Sequence, residues 1–218
     1  LVCVKSHLFT QNVKIVLKDI KKVIKRILII CYHIIRKKSI IKGCFNLKIG
    51  VCVHFDSMEA MSKKFDDMLS EGFDNCQLIS WKPELWTKEN LDKLNGLIKE
   101  KGITVSAFWC GWEGPAAWNF YDGQITLGLV PPEYRVMRIK NLCDGADFAN
   151  GLGVKNVVTH MGFIPENPND PQFAPFCVAV RQVAQHLKAN GQYLLFETGQ
   201  ETPVTMLRCF EKAGCDNL

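Results

Sequence analysis

The sequence predicts an α/β fold: an incomplete (β/α)8 barrel with five β/α units present, preceded by a basic amphipathic helical extension. Three observations carry this prediction. Short apolar runs alternate five times with amphipathic helical patterns, as a parallel sheet covered by helices requires. The first strand is followed by neither GxGxxG nor GxxxxGK[ST], the phosphate cradles of many open doubly wound sheets. Polar residues gather just past the C-terminal ends of the strand-like runs, where a barrel keeps its active site: His54 and Asp56, Glu113, His160 and Glu197.

The elements follow in order. KIGVCVHF (48–55) precedes a helix with apolar Met58, Met61, Phe65, Met68 and Leu69, ending at Gly72. NCQLISW (75–81) precedes one capped by Thr87, with Leu91, Leu94, Leu97 and Ile98 on one face, closing at Gly102. ITVSAFW (103–109) leads through a long connection to a helix from about Pro132 to Leu152. NVVTHMG (156–162) leads through another to FCVAVRQVAQHLKAN, stopped by Gly191. QYLLFE (192–197) is followed by Thr202 as N-cap, Pro203 at the first helical position and a helix to Gly214. A full barrel has eight such units, and CDNL (215–218) is where a sixth strand would start. The expectation is therefore a barrel truncated after its fifth unit.

Composition divides the chain in two. Of its 218 residues, 1–46 hold eleven Lys or Arg and one acid, Asp19, whereas 47–218 carry a net charge of −5. From Val13 to Cys31 apolar residues recur at helical spacing, with Lys14, Lys18, Lys21, Lys22 and Lys25 on the other face. A membrane-surface or nucleic-acid anchor is one reading of that helix. The favoured one is an extension with no part in the catalytic domain, which begins at residue 47. The longest apolar run, ILIICYHII (27–35), is too short to span a bilayer. Ten cysteines lie scattered in apolar segments without a CxxC pair, which reads as buried reduced thiols in a cytoplasmic protein.

His160 and Glu197 would stand at the ends of adjacent strands and could make half of a divalent metal site. A carboxylate after Tyr193-Leu194-Leu195-Phe196 is costly to bury without a cation. The loop FWCGWEGPAAWNFYDG (108–123) gathers three tryptophans, two Phe and a Tyr, which suits carbohydrate, or else packs the loop on the barrel rim. Cys110 has no histidine near it in sequence and is not favoured as a nucleophile, and His186 reads as structural.

KIGV, THMGFIPENPNDP and above all LLFETGQETP resemble the sugar phosphate isomerase/epimerase proteins of the xylose-isomerase-like TIM barrel superfamily. The resemblance covers residues 47–218. It implies a divalent metal, Mn, Mg, Co or Zn, with Glu197 as a ligand that also shares in proton transfer. His160 would be a second ligand or a substrate contact, and Gln200 and Glu201 would lie at the rim and shape the pocket. From the aromatic loop itself, Trp109, Trp112 and Glu113 are the further expected substrate contacts. The implied chemistry is proton abstraction next to a carbonyl through an enediolate. The implied partner is a small sugar or sugar phosphate, with no nucleic acid, and a homo-oligomer is admitted only for the full-length barrel. The superfamily's epimerases take further ligands from the sixth to eighth strands, so this chain by itself is expected to be inactive. The alternatives are an endonuclease IV-like zinc phosphodiesterase and a non-catalytic truncated barrel.

Overall fold

The computed structural model describes residues 48–197 and 199–218, and the expectations for residues 1–46 lie outside them. Residues Ile49–Leu218 form one compact unit. Its strands are β1 (Val51–His54), β2 (Asn75–Ser80), β3 (Thr104–Cys110), β4 (Asn156–His160) and β5 (Tyr193–Glu197). Five helices follow them in turn: α1 (Met58–Ser70), α2 (Lys88–Lys101), α3 (Pro132–Gly151), α4 (Phe173–Ala189) and α5 (Pro203–Ala213). The strands are all parallel and lie in the order of the chain, β1-β2-β3-β4-β5. Sequential parallel order is that of a barrel wall, since a doubly wound sheet reverses its strand order partway.

Helix boundaries follow the capping residues. Thr87 Oγ1 accepts from the Asn90 amide at 3.2 Å and Gly102 ends α2 in the left-handed conformation. Thr202 Oγ1 accepts from the Thr205 amide at 3.3 Å, Pro203 opens α5 and Gly214 closes it. Two bounds differ from the expected ones. α1 stops at Ser70, short of Gly72, and α4 begins at Phe173, because Asp170 turns the chain there by taking the Gln172 amide at 2.7 Å.

The two faces of the sheet are unlike. The face toward the helices packs Val53, Leu78, Phe108, Cys110, Val157 and Leu194 into the main core. On the inner face Tyr193, Leu195 and Glu197 are exposed, and Ile79, Trp81 and Val158 are partly buried around Trp109, Trp112 and Leu127. Runs with almost no polar alternation imply burial on both faces. The inner face here is instead an open concavity of five strands. After α5 the chain returns to β5, where the Leu194 amide donates to the Asn217 carbonyl at 2.9 Å. The seven described cysteines are free thiols, of which Cys52 is exposed. No described helix is long and apolar enough to cross a membrane.

Candidate active site at the ends of β3, β4 and β5

Parallel register sets the centre of the site. His160 and Glu197 are direct partners across β4 and β5 at the C-terminal ends of both strands. Side chains alternate across a strand, so Trp109 of β3, Val158 and His160 of β4 and Leu195 and Glu197 of β5 share the inner face. The indole N–H of Trp109 donates to Glu197 Oε2 in a short hydrogen bond. β3 and β5 are two strand spacings apart, about 9 to 10 Å, so this bond spans β4 and requires a concave sheet. The Glu197 carboxylate is exposed and hydrogen-bonded. The expectation that burial would make Glu197 need a cation started from the wrong surroundings: its strand faces an open concavity, the residue is exposed, and an indole supplies a donor.

His160 is 6 % exposed. The Gly162 amide donates to its Nδ1 at 3.1 Å, which leaves the ring proton of the neutral imidazole on Nε2. Burial pushes the ring below the ordinary histidine value, against the opposing pull of Glu201 and Glu197. Nε2 faces Gly199, where a Cβ would stand 2.7 Å away. Glycine at 199 thus keeps the approach to Nε2 open. The rest of the ETGQE turn folds back over this corner: the Gly199 amide donates to Glu201 Oε2 at 2.8 Å, and Gln200 Nε2 to the Gly162 carbonyl at 3.3 Å.

Tryptophans form the wall beside these two residues. Trp81 packs on Trp109 at 4.6 Å, edge-on to Trp112 at 5.1 Å and edge-on to Trp118 at 6.0 Å, and Trp118 stands edge-on to His160 at 5.2 Å. Behind them lies Arg138 of α3, fully buried. It stacks over Trp112 at 5.2 Å and over Tyr134 at 4.7 Å, and donates to the Glu113, Pro115 and Gly128 carbonyls. Burial lowers its guanidinium to about 10, which still leaves it charged at neutral pH.

Of the residues expected at the site, Glu197, His160, Trp109, Trp112, Gln200 and Glu201 gather around the ends of β3, β4 and β5. Glu113 is held elsewhere: its carboxylate takes a 2.9 Å hydrogen bond from Asn141 of α3, and its amide donates to Asn141 Oδ1 at 3.0 Å. Asp56 is held by Lys64 at 2.8 Å, whose hydrogen bond lowers the carboxyl. Cys110 is fully buried and burial pushes its thiol well up, so it is no nucleophile. His186 pairs with Asp147 at 2.7 Å on the outer helices. Sequence reasoning missed Trp81 and Arg138, which stand in no motif, and Gly199, which lies inside the ETGQE segment but carries no side chain to mark it.

The donor set does not fit a divalent metal by itself. Glu197 offers one oxygen beyond the one Trp109 holds, and His160 Nε2 carries a proton. Among the described residues no three His, Cys, Asp or Glu side chains are grouped to hold a metal ion.

No protein-family model and no curated protein matches the sequence. Solved structures do. A xylose isomerase domain protein from Planctomyces limnophilus is 24 % identical with a TM-score of 0.69, over 78 % of this chain and 59 % of that one. An L-ribulose 3-epimerase is 22 % identical with a TM-score of 0.58, over 78 % and 58 %. The 3-keto-D-glucoside 4-epimerase YcjR from E. coli is 18 % identical with a TM-score of 0.56, over 79 % and 66 %. The chain thus spans about six tenths of the length of the structures it matches. With five parallel β/α units in sequential order and these likenesses, the chain has the xylose isomerase-like barrel fold.

Proposed function

We propose that the chain carries the β4 and β5 part of a sugar or sugar-phosphate isomerase/epimerase site. The observation behind this is the pairing of His160 with Glu197 beside a wall of tryptophans. A neutral imidazole with its proton on Nε2 donates a hydrogen bond to a carbonyl or hydroxyl oxygen of the sugar. Trp109 fixes one oxygen of Glu197 and leaves the other to take a proton from the carbon beside that carbonyl, giving an enediolate. Trp118, 55 % exposed, presents an apolar indole face to the C–H face of a sugar ring, while Trp109 and Trp112 are buried within the wall. The divalent ion that the resemblance implies, Mn, Mg, Co or Zn, would polarise that carbonyl oxygen, but Glu197 and His160 do not by themselves hold it. The described residues supply too few ligands for a divalent-metal centre, so in this reading the five units bind the sugar and place the donor and the carboxylate, and the proton transfer is expected only where that centre is complete.

The proton on His160 Nε2 also favours this reading over the zinc phosphodiesterase one, which needs that nitrogen as a ligand. The −5 charge of residues 47–218 supports the same choice, because a DNA-binding groove is basic. The test is calorimetric titration of ketoses and ketose phosphates into the chain, with Glu197→Gln and His160→Gln beside it. Sugar binding weakened about tenfold by either variant is the expected result, on the order of one hydrogen bond each. Binding of an abasic DNA duplex in preference to any sugar would overturn the proposal. Deuterium uptake from D2O at the carbon next to the carbonyl would overturn the clause that the chain is inactive alone.

A further inference from the structure

The loop between β3 and α3 holds Trp118, Phe120, Tyr121 and Ile125 out into solvent, 55, 76, 92 and 67 % exposed. An apolar patch of this kind marks a surface that something covers. The loop is tied down at many points. Arg138 holds three of its carbonyls, the Ala117 amide donates to Thr126 Oγ1 at 3.1 Å, and Asn119 Oδ1 takes the amides of Tyr121 and Asp122 at 2.8 and 2.7 Å. A loop backbone held in place this way adds little ordering cost of its own on binding.

The patch is continuous with the site. Trp118 stands against His160, and Phe120 is edge-on to Phe163 at 6.1 Å, three residues further along the chain from His160. Charge then decides the kind of ligand. From Gly111 to Tyr134 the chain has no Lys or Arg, and its only charged residues are Glu113, Asp122 and Glu133. A phosphate or a nucleic-acid strand finds no cation there. A neutral sugar ring finds aromatic faces for its C–H side; Asn119 Nδ2 is spent on Asp122 Oδ2 at 3.2 Å and Gln124 Nε2 on the Phe120 carbonyl at 3.0 Å, which leaves Asp122 Oδ1 and Gln124 Oε1 to meet hydroxyls.

We propose that this loop is a second carbohydrate subsite: the ligand is a glycoside or disaccharide, with one ring at His160 and Glu197 and the next on Trp118, Phe120 and Tyr121. The inference rests on the sugar reading above and narrows its substrate class. Calorimetric titration of the chain with a free hexose and with a disaccharide of that hexose tests it. The disaccharide is expected to bind about tenfold tighter, and the double variant Phe120→Ala/Tyr121→Ala to bring the ratio near one. Both side chains are exposed, so the variant keeps the core intact. Equal affinity for the two sugars overturns the subsite and leaves the sugar reading standing. Failure to bind any sugar overturns both. Self-association in sedimentation velocity that the double variant abolishes, with the ratio unchanged, assigns the rings to a protein interface and overturns the subsite.

Discussion

Glu197 and His160 show how far a residue's role depends on one neighbouring atom. Each could serve a metal on residue type alone. The Gly162 amide on Nδ1 makes His160 a donor at Nε2, and the Trp109 indole leaves Glu197 with one free oxygen. The burial that lowers His160 has a pH consequence with a definite sign. Unfolded, the ring binds a proton below about pH 6.5, while the folded ring resists it. The stability from the neutral ring is therefore complete above pH 6.5 and is lost as the pH falls through the lower, folded value. Nitrogen-resolved NMR of the His160 ring is expected to show Nε2 protonated and a titration midpoint below 6.5. A midpoint at or above 6.5, or a proton on Nδ1, would refute this account.

At the scale of elements, the site is built where loops lock onto strands. The Leu129 amide donates to the Met161 carbonyl at 3.0 Å, which stitches the β3 loop to the end of β4. That approach passes over Gly128, in the left-handed region at φ 65°, where a Cβ would lie 1.9 Å from the Met161 carbonyl carbon. Gly128→Ala is expected to cost about 3 kcal/mol or more, since both the backbone conformation and the stitch must give. Urea unfolding measures that, and a loss under about 1 kcal/mol, the backbone term alone, would show that the loop does not pack this closely. The Glu166 carboxylate makes a second lock by taking the Thr202 hydroxyl at 2.9 Å at the start of α5. Thr202 was legible as a cap from S/T-then-Pro chemistry. Its partner 36 residues earlier was not, because no local pattern encodes a contact between two loops.

Across the unit Ile49–Leu218, the main core and the candidate site lie on opposite faces of one sheet. The helix-covered face holds Phe108, fully buried between Trp86 and Phe148 with ring centroids 5.9 Å from each. The concave face holds the site and the exposed Leu195, at 38 %. Phe108→Ala should therefore cost about 3 to 5 kcal/mol and Leu195→Ala less than about 1.5 kcal/mol. Comparable losses in denaturant melts of the two variants would mean that the inner face is as well packed as the outer.

The sequence alone determined the five β/α units, the caps of α2 and α5 and the placing of His160 and Glu197 at neighbouring strand ends. These are local signals: apolar period, N-cap chemistry, and polar residues where a strand stops. Tertiary structure decided which side of the sheet each residue faces and what it meets there. Trp109 reaches Glu197 across 88 residues of chain, and Arg138 sits buried behind Trp112. Both contacts follow from strand register and sheet curvature, which no single segment specifies, because pairing and bending are set by all the strands and helices packing together.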